Sequence, residues 1–226
     1  MSTAKLPAIA PLVAGQRLSQ ATFHERYEAM PPGVRAELIG GVVYMSSPVG
    51  KWHYVTTANA VGWLWTYRNR TSGTEMGDNG STALDDFSEV QPDAFLRILP
   101  ERGGQTHDFG KIIRGAPELV IEVADSSKSI DHGPKMAEYE RAGTLEYIVF
   151  TIDADAVLWH VRQGGRLVRI PPDADGLYRS KILPGLWLDP AALIADDGPA
   201  MVTTLERGLA TVEHVEFVAK LAAIRP

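Results

Sequence analysis

Three polar residues stand where a folded core does not ask for them: Asp93, Glu122 and Lys135. Asp93 follows Pro92 at the start of a strand-like stretch, residues 92–99. Glu122 lies in residues 117–123, a short, β-branched apolar run that reads as the clearest buried strand of the chain. Lys135 falls early in the helix expected next, four residues before Tyr139 and so on the same face. A carboxylate in such a strand must be paired or coordinate a cation, because burying it alone costs on the order of several kcal/mol. Two carboxylates brought together repel, and a hard divalent cation resolves the repulsion. Magnesium takes one or two carboxylates and completes its shell with water and phosphate oxygens. A lysine beside it can orient a water or stabilise charge developing on a phosphate. These parts suit phosphodiester hydrolysis. Taken singly, Glu122 also reads as an edge residue facing water or half of an ion pair, and Lys135 as a solvated helix residue.

The elements that must position these residues emerge from periodicity. Thr22 and Glu25 form a capping-box pattern that predicts a helix over residues 22–30. Residues 36–45 read as a hairpin around Gly40-Gly41, and residues 52–69 as a helix. A strand and loop at the sheet edge are expected over 71–89, and a polar, flexible insertion over 100–114. Asp131 is placed to cap a helix running to Arg141, stopped by Gly143. A second buried strand covers 146–150, a hairpin turns at Gly164-Gly165, and a further strand covers 177–183. The expected architecture is α/β (α+β), a mixed sheet flanked by helices, with additional β-hairpins and one C-terminal helix over 201–224. It divides into an irregular lead-in (1–17), a main domain (18–195), and a linker with the C-terminal helix (196–226).

Composition narrows the function classes. The 226 residues suffice for one domain with a sizeable core, and 45% apolar with 22% charged residues is ordinary for a globular chain. With no cysteine, disulfides, thiolate metal sites and a cysteine nucleophile are excluded. No apolar run approaches a membrane span, and the proline-broken N-terminus makes a poor signal peptide, so a cytoplasmic location without membrane contact is expected. The net charge of −6 and the scattered Arg68, Arg70, Arg97, Arg102, Lys111 and Arg114 give no basic stripe for counterion release from a duplex.

The ordered set of motifs resembles the Uma-type restriction endonucleases, within the PD-(D/E)XK nuclease superfamily. It comprises Glu37-Leu38-Ile39-Gly40-Gly41, His53, Pro92-Asp93, residues 115–123, Asp131 with Lys135 and Tyr139, Glu146-Tyr147, Tyr178-Arg179-Ser180 and residues 184–188. The likeness runs from about Leu18 to about Leu193. It implies a restriction-endonuclease-like core, a mixed four-stranded sheet flanked by helices. It implies that Asp93, Glu122 and Val123 are the metal ligands, with Lys135 the catalytic lysine moved from strand to helix. Glu37 and His53 are implied as further active-site residues. The activity implied is a Mg2+-dependent endonuclease acting on DNA, with Mn2+ as a possible substitute and a homodimer as the assembly for two-strand cutting. One departure stands out: Ala124 occupies the place where the superfamily usually has its lysine, which leaves open a catalytically silent binding or scaffold protein. Lys128 is nearer in sequence than Lys135 but matches no motif position.

Overall fold

The computed structural model describes residues 9–46, 48–125 and 128–224, the Lys128 side chain excepted. Helix α1 (Gln20–Glu28) starts earlier than the capping box predicts, because Ser19 accepts the Thr22 N–H at 3.3 Å and caps it. The hairpin β1 (Ala36–Ile39) and β2 (Val42–Met45) turns through Gly40 and Gly41, both at positive φ, the geometry that a tight hairpin requires. Helix α2 (Lys51–Arg70) comes next, then β3 (Thr74–Gly77), β4 (Thr82–Ala83), β5 (Glu89–Val90) and β6 (Ala94–Ile98). Residues 100–114, expected to be a loose insertion, instead contain the hairpin β7 (His107–Phe109) and β8 (Ile112–Arg114). Strand β8 pairs in parallel with β4. That non-local partner is what a local reading of polar residues does not reveal.

Strand β9 (Leu119–Ala124) and strand β10 (Glu146–Thr151) pair in parallel, joined by α3 (Lys128–Asp131) and α4 (Pro134–Ala142). Strands β11 (Ala156–Gln163) and β12 (Arg166–Ile170) complete a mixed sheet of order β12-β11-β10-β9-β6-β3, wider than the four strands the resemblance implies. A second sheet runs β2-β1-β5-β4-β8-β7. The strand expected over 177–183 is shorter: β13 (Tyr178–Arg179) pairs with β14 (Trp187–Leu188), and the Ser180 hydroxyl turns the chain by accepting the Leu183 N–H at 2.8 Å. After a short α5 (Pro190–Ile194), the single helix expected over 201–224 is two, α6 (Gly198–Leu209) and α7 (Val212–Ala223), with Thr211 capping the second. Leu205 and Leu221 are buried, whereas Val212 is exposed.

Strands β9 and β10 are buried on both faces, as their continuous apolar runs require. On one face Leu119, Ile121 and Val123 pack with Ala60, Trp63 and Leu64 of α2 and with Met201 and Leu205 of α6. On the other, Val120 and Ala124 pack with Tyr139 of α4 and Ile39 of β1. Each such apolar side chain contributes about 1.5–3 kcal/mol by leaving water. Strand alternation puts Glu122 on the second face, among α4 and β1.

Glu146 is the other acid fully inside this sheet. Its Oε1 accepts the Lys181 N–H at 2.6 Å, and burial lifts the carboxyl to about 7 from an ordinary 4.5. A carboxyl raised by folding contributes stability that is fully present below its unfolded value and is lost as pH rises through the folded one. Over that window the loss amounts to roughly 3 kcal/mol. Urea denaturation at pH 5 and pH 8 should therefore show the wild type weaker at pH 8, with the gap narrowed in Glu146→Gln. An unchanged gap in the variant would rule this group out as its source.

Candidate active site

The site begins where a ladder stops. Strand β6 pairs with β9 as far as Ala94 opposite Ile121. Carried further, that register sets Pro92 opposite Val123, and proline has no N–H to donate. The strands part there. The Asp93 carboxylate takes over one ladder contact, accepting the Val123 N–H on Oδ2 at 2.7 Å. The Val123 carbonyl, on the same side of the strand, receives no ladder bond from Pro92. Helix α2 packs on the far face, and its first turn reaches round the sheet end to place His53 Nε2 at 3.5 Å from Asp93 Oδ2.

From the opposite face comes Lys135. Gly133 caps α4 and Pro134 takes its first position, where a missing N–H costs nothing. Lys135 and Tyr139 then both turn inward and are buried. The Lys135 ammonium lies 2.9 Å from Glu37 Oε1 and 2.9 Å from each oxygen of Glu122. It donates at a hydrogen-bonding angle to Oε2; Oε1, equally near and fully buried, is left without a hydrogen bond of its own. Glu37 is held from the other side, because its Oε1 also accepts the Gln91 N–H at 2.6 Å.

These groups line one cleft of about 200 Å³. Five carboxylates, Glu37, Asp93, Glu122, Asp125 and Asp131, face it with Lys135, His53 and Arg35. Burial pushes the Glu122 carboxyl well up; the Lys135 ammonium opposes this, while Asp131, Asp93 and Glu37 add to it. Burial alone lowers Lys135, but Glu122, Glu37 and Asp131 outweigh it and hold the amine charged, well above its ordinary value. His53 obeys the same logic: burial lowers it, and Asp93, Asp125 and Asp131 together raise it. The cleft thus has more negative charge than its cations offset.

That surplus, the open lone pair on Glu122 Oε1 and the Val123 carbonyl, to which Pro92 has no N–H to donate, fit a hard divalent cation with oxygen ligands. Among the described residues no group of three or more His, Asp or Glu is arranged to hold a metal by itself. Two carboxylates and a carbonyl, completed by water and substrate phosphate, do not need one.

All five side chains singled out in the sequence, Glu37, His53, Asp93, Glu122 and Lys135, reach this cleft. Asp131 departs from its expected role: it does not cap α4 but ends α3, is buried, and lines the same cleft. The capping signal at its position masks a second use of the same carboxylate. Gln91, which fixes Glu37 and also donates through Nε2 to the Tyr27 hydroxyl at 2.7 Å, has no sequence signal beyond its nearness to Asp93. The Lys128 side chain lies outside the described residues.

A mixed sheet whose strands part over buried carboxylates and a lysine defines a restriction-endonuclease-like protein. The chain belongs to the Uma2 family, described as "Putative restriction endonuclease", which it matches over residues 22–191. Its fold is also that of a crystal structure titled as a "putative nuclease belonging to DUF820" from Anabaena variabilis ATCC 29413. That chain is 16% identical, with a TM-score of 0.58 covering 76% of this chain and 96% of the other. None of the curated proteins matches. Among the described residues no helix is long and apolar enough to cross a membrane.

Proposed function

We propose that this protein is a divalent-metal-dependent endonuclease that hydrolyses phosphodiester bonds, with DNA as substrate and Mg2+ as the ion. The observation that carries the reading is the meeting of Lys135 with Glu122 and Glu37 at 2.9 Å, beside the Asp93 contact to Val123. Asp93, Glu122 and the Val123 carbonyl would hold the ion, which when bound supplies Lewis-acid stabilisation of the scissile phosphate. Lys135, held protonated, donates to the attacking water or to a non-bridging phosphate oxygen. Glu37 fixes the ammonium, and His53 faces the same Asp93 Oδ2 that accepts the Val123 N–H. Cutting both strands of a duplex takes two such sites, which a homodimer provides.

A second reading, a binding or scaffold protein without turnover, is favoured by Lys135 already neutralising Glu122 and Glu37 and by Ala124 at the usual lysine position. Supercoiled plasmid incubated with the purified protein separates the two. Relaxation in Mg2+ or Mn2+ that EDTA abolishes supports the nuclease. No relaxation in either ion, with a metal-dependent rise in melting temperature, supports the silent reading.

A further inference from the structure

A second cavity, of about 280 Å³, opens beside the first turn of α2 and is lined by Trp52, Thr56, Phe150, Ile152, Asp155 and Leu193. We propose that it holds one unpaired nucleobase of a single-stranded nucleic acid, stacked on Trp52. The inference rests on reading the adjoining cleft as the seat of a nucleic-acid strand.

Position is the first argument. Trp52 is the chain neighbour of His53, which meets Asp93. In the parallel pair, Phe150 stands opposite Val123 and Thr151 opposite Ala124. Adjacent strands lie about 4.8 Å apart, so Phe150 lies one strand's width from Val123, on the α2 face of the sheet, with Glu122 and Lys135 on the other. The first turn of α2, which carries both Trp52 and His53, joins the cavity to the cleft round the sheet end.

Chemistry is the second. Trp52 is 58% exposed, an indole that the fold leaves uncovered at the cavity mouth. Phe150, Ile152 and Leu193 make apolar walls, and the Asp155 carboxylate accepts hydrogen bonds only, which suits a flat heterocycle with an N–H edge. A base in a duplex is already stacked and paired, so entry requires an unpaired one.

Charge is the third. A chain of net charge −6 without a basic stripe gains little from counterion release. Stacking supplies affinity that does not depend on net charge, because every base has a π-face. The Lys51 ammonium, 4.8 Å from the Trp52 ring centroid, adds one cation beside the stacking surface.

The test is fluorescence-anisotropy binding of labelled single-stranded DNA and RNA oligonucleotides, in EDTA so that nothing is cut. Trp52→Ala should weaken binding about 5- to 150-fold, the equivalent of one stacked base. Trp52→Phe should retain most of the affinity. Trp65→Ala removes an equally exposed indole (54%) from the same helix, about 20 Å further along, and should change nothing. A sugar–phosphate strand without bases should bind wild type and Trp52→Ala equally weakly, and a blunt duplex should bind less tightly than its single strands. Equal single-strand binding by Trp52→Ala with an unchanged melting temperature overturns the proposal, as does an equal loss in Trp65→Ala or tighter binding of the duplex. Strand binding through Trp52 without metal-dependent cleavage would uphold the cavity and remove the nuclease. Cleavage of single strands and duplex indifferent to Trp52→Ala would do the reverse.

Discussion

Asp93→Ala is expected to abolish metal-dependent plasmid relaxation, with a loss of at least about 100-fold. Loss of an outer partner of a metal site typically costs about 10- to 100-fold, and a direct ligand should exceed that. The alanine also strips the Val123 N–H of its acceptor, a change worth about 1 kcal/mol of stability. Asp93→Asn separates the two roles. The amide oxygen can still accept from Val123, so the melting temperature should stay near wild type, while the lost negative charge should still stop cleavage. Relaxation by Asp93→Asn at the wild-type rate would show that the carboxylate charge does no chemistry here.

Lys135→Met should have the largest effect on stability. The ammonium is buried between Glu122 and Glu37, and removing one partner of a buried ion pair costs about 3–5 kcal/mol because the other charge remains uncompensated. Without it, the charge that opposes the burial and the neighbouring acids raising Glu122 is gone. A carboxyl raised by folding weakens the protein as pH rises through its folded value, so the deficit should be largest near pH 8 and shrink towards pH 5. Lys135→Met combined with Glu122→Gln removes the stranded charge and should recover much of the loss at pH 8. A deficit that grows towards acid in urea denaturation, or no recovery in the double variant, would contradict this account of the cleft.

The legible parts of the fold are those whose pattern is local. Residues 119–124 announce a buried strand by apolar continuity, and an acid within that run is conspicuous for the same reason. Pro92-Asp93 is legible as a strand start, although its effect, ending the β6 ladder opposite Val123, requires the register. Helical spacing places Lys135 on the face of Tyr139, but only the family resemblance points it at Glu122. Glu37 is ambiguous in sequence because a residue beside a Gly-Gly turn is equally at home in solvent; α4, packed across β1, decides otherwise. Residues 100–114 read as loose because their pairing partner lies in β4. The break between α6 and α7 has a local signal, Thr211 as a cap, which an apolar spacing continuous across it conceals. Trp52 gives no signal of its own, because periodicity tells which face of a helix is apolar, not which aromatic the fold leaves uncovered.

Lys135 reaches Glu122 from a helix rather than from the strand that carries the carboxylate, and this makes the chain between them a ruler. Each residue added or removed within a helix turns the residues beyond it by about 100° and shifts them by about 1.5 Å. One inserted residue at the start of α4 can therefore swing the ammonium away from the carboxylates while Asp93, Glu122 and Val123 stay where the sheet puts them. A descendant altered in this way keeps every signature residue and still loses the ammonium that we propose acts on the phosphate. Activity in such a lineage is recorded in spacing as much as in residue identity, so two relatives with the same letters at these positions need not share a reaction.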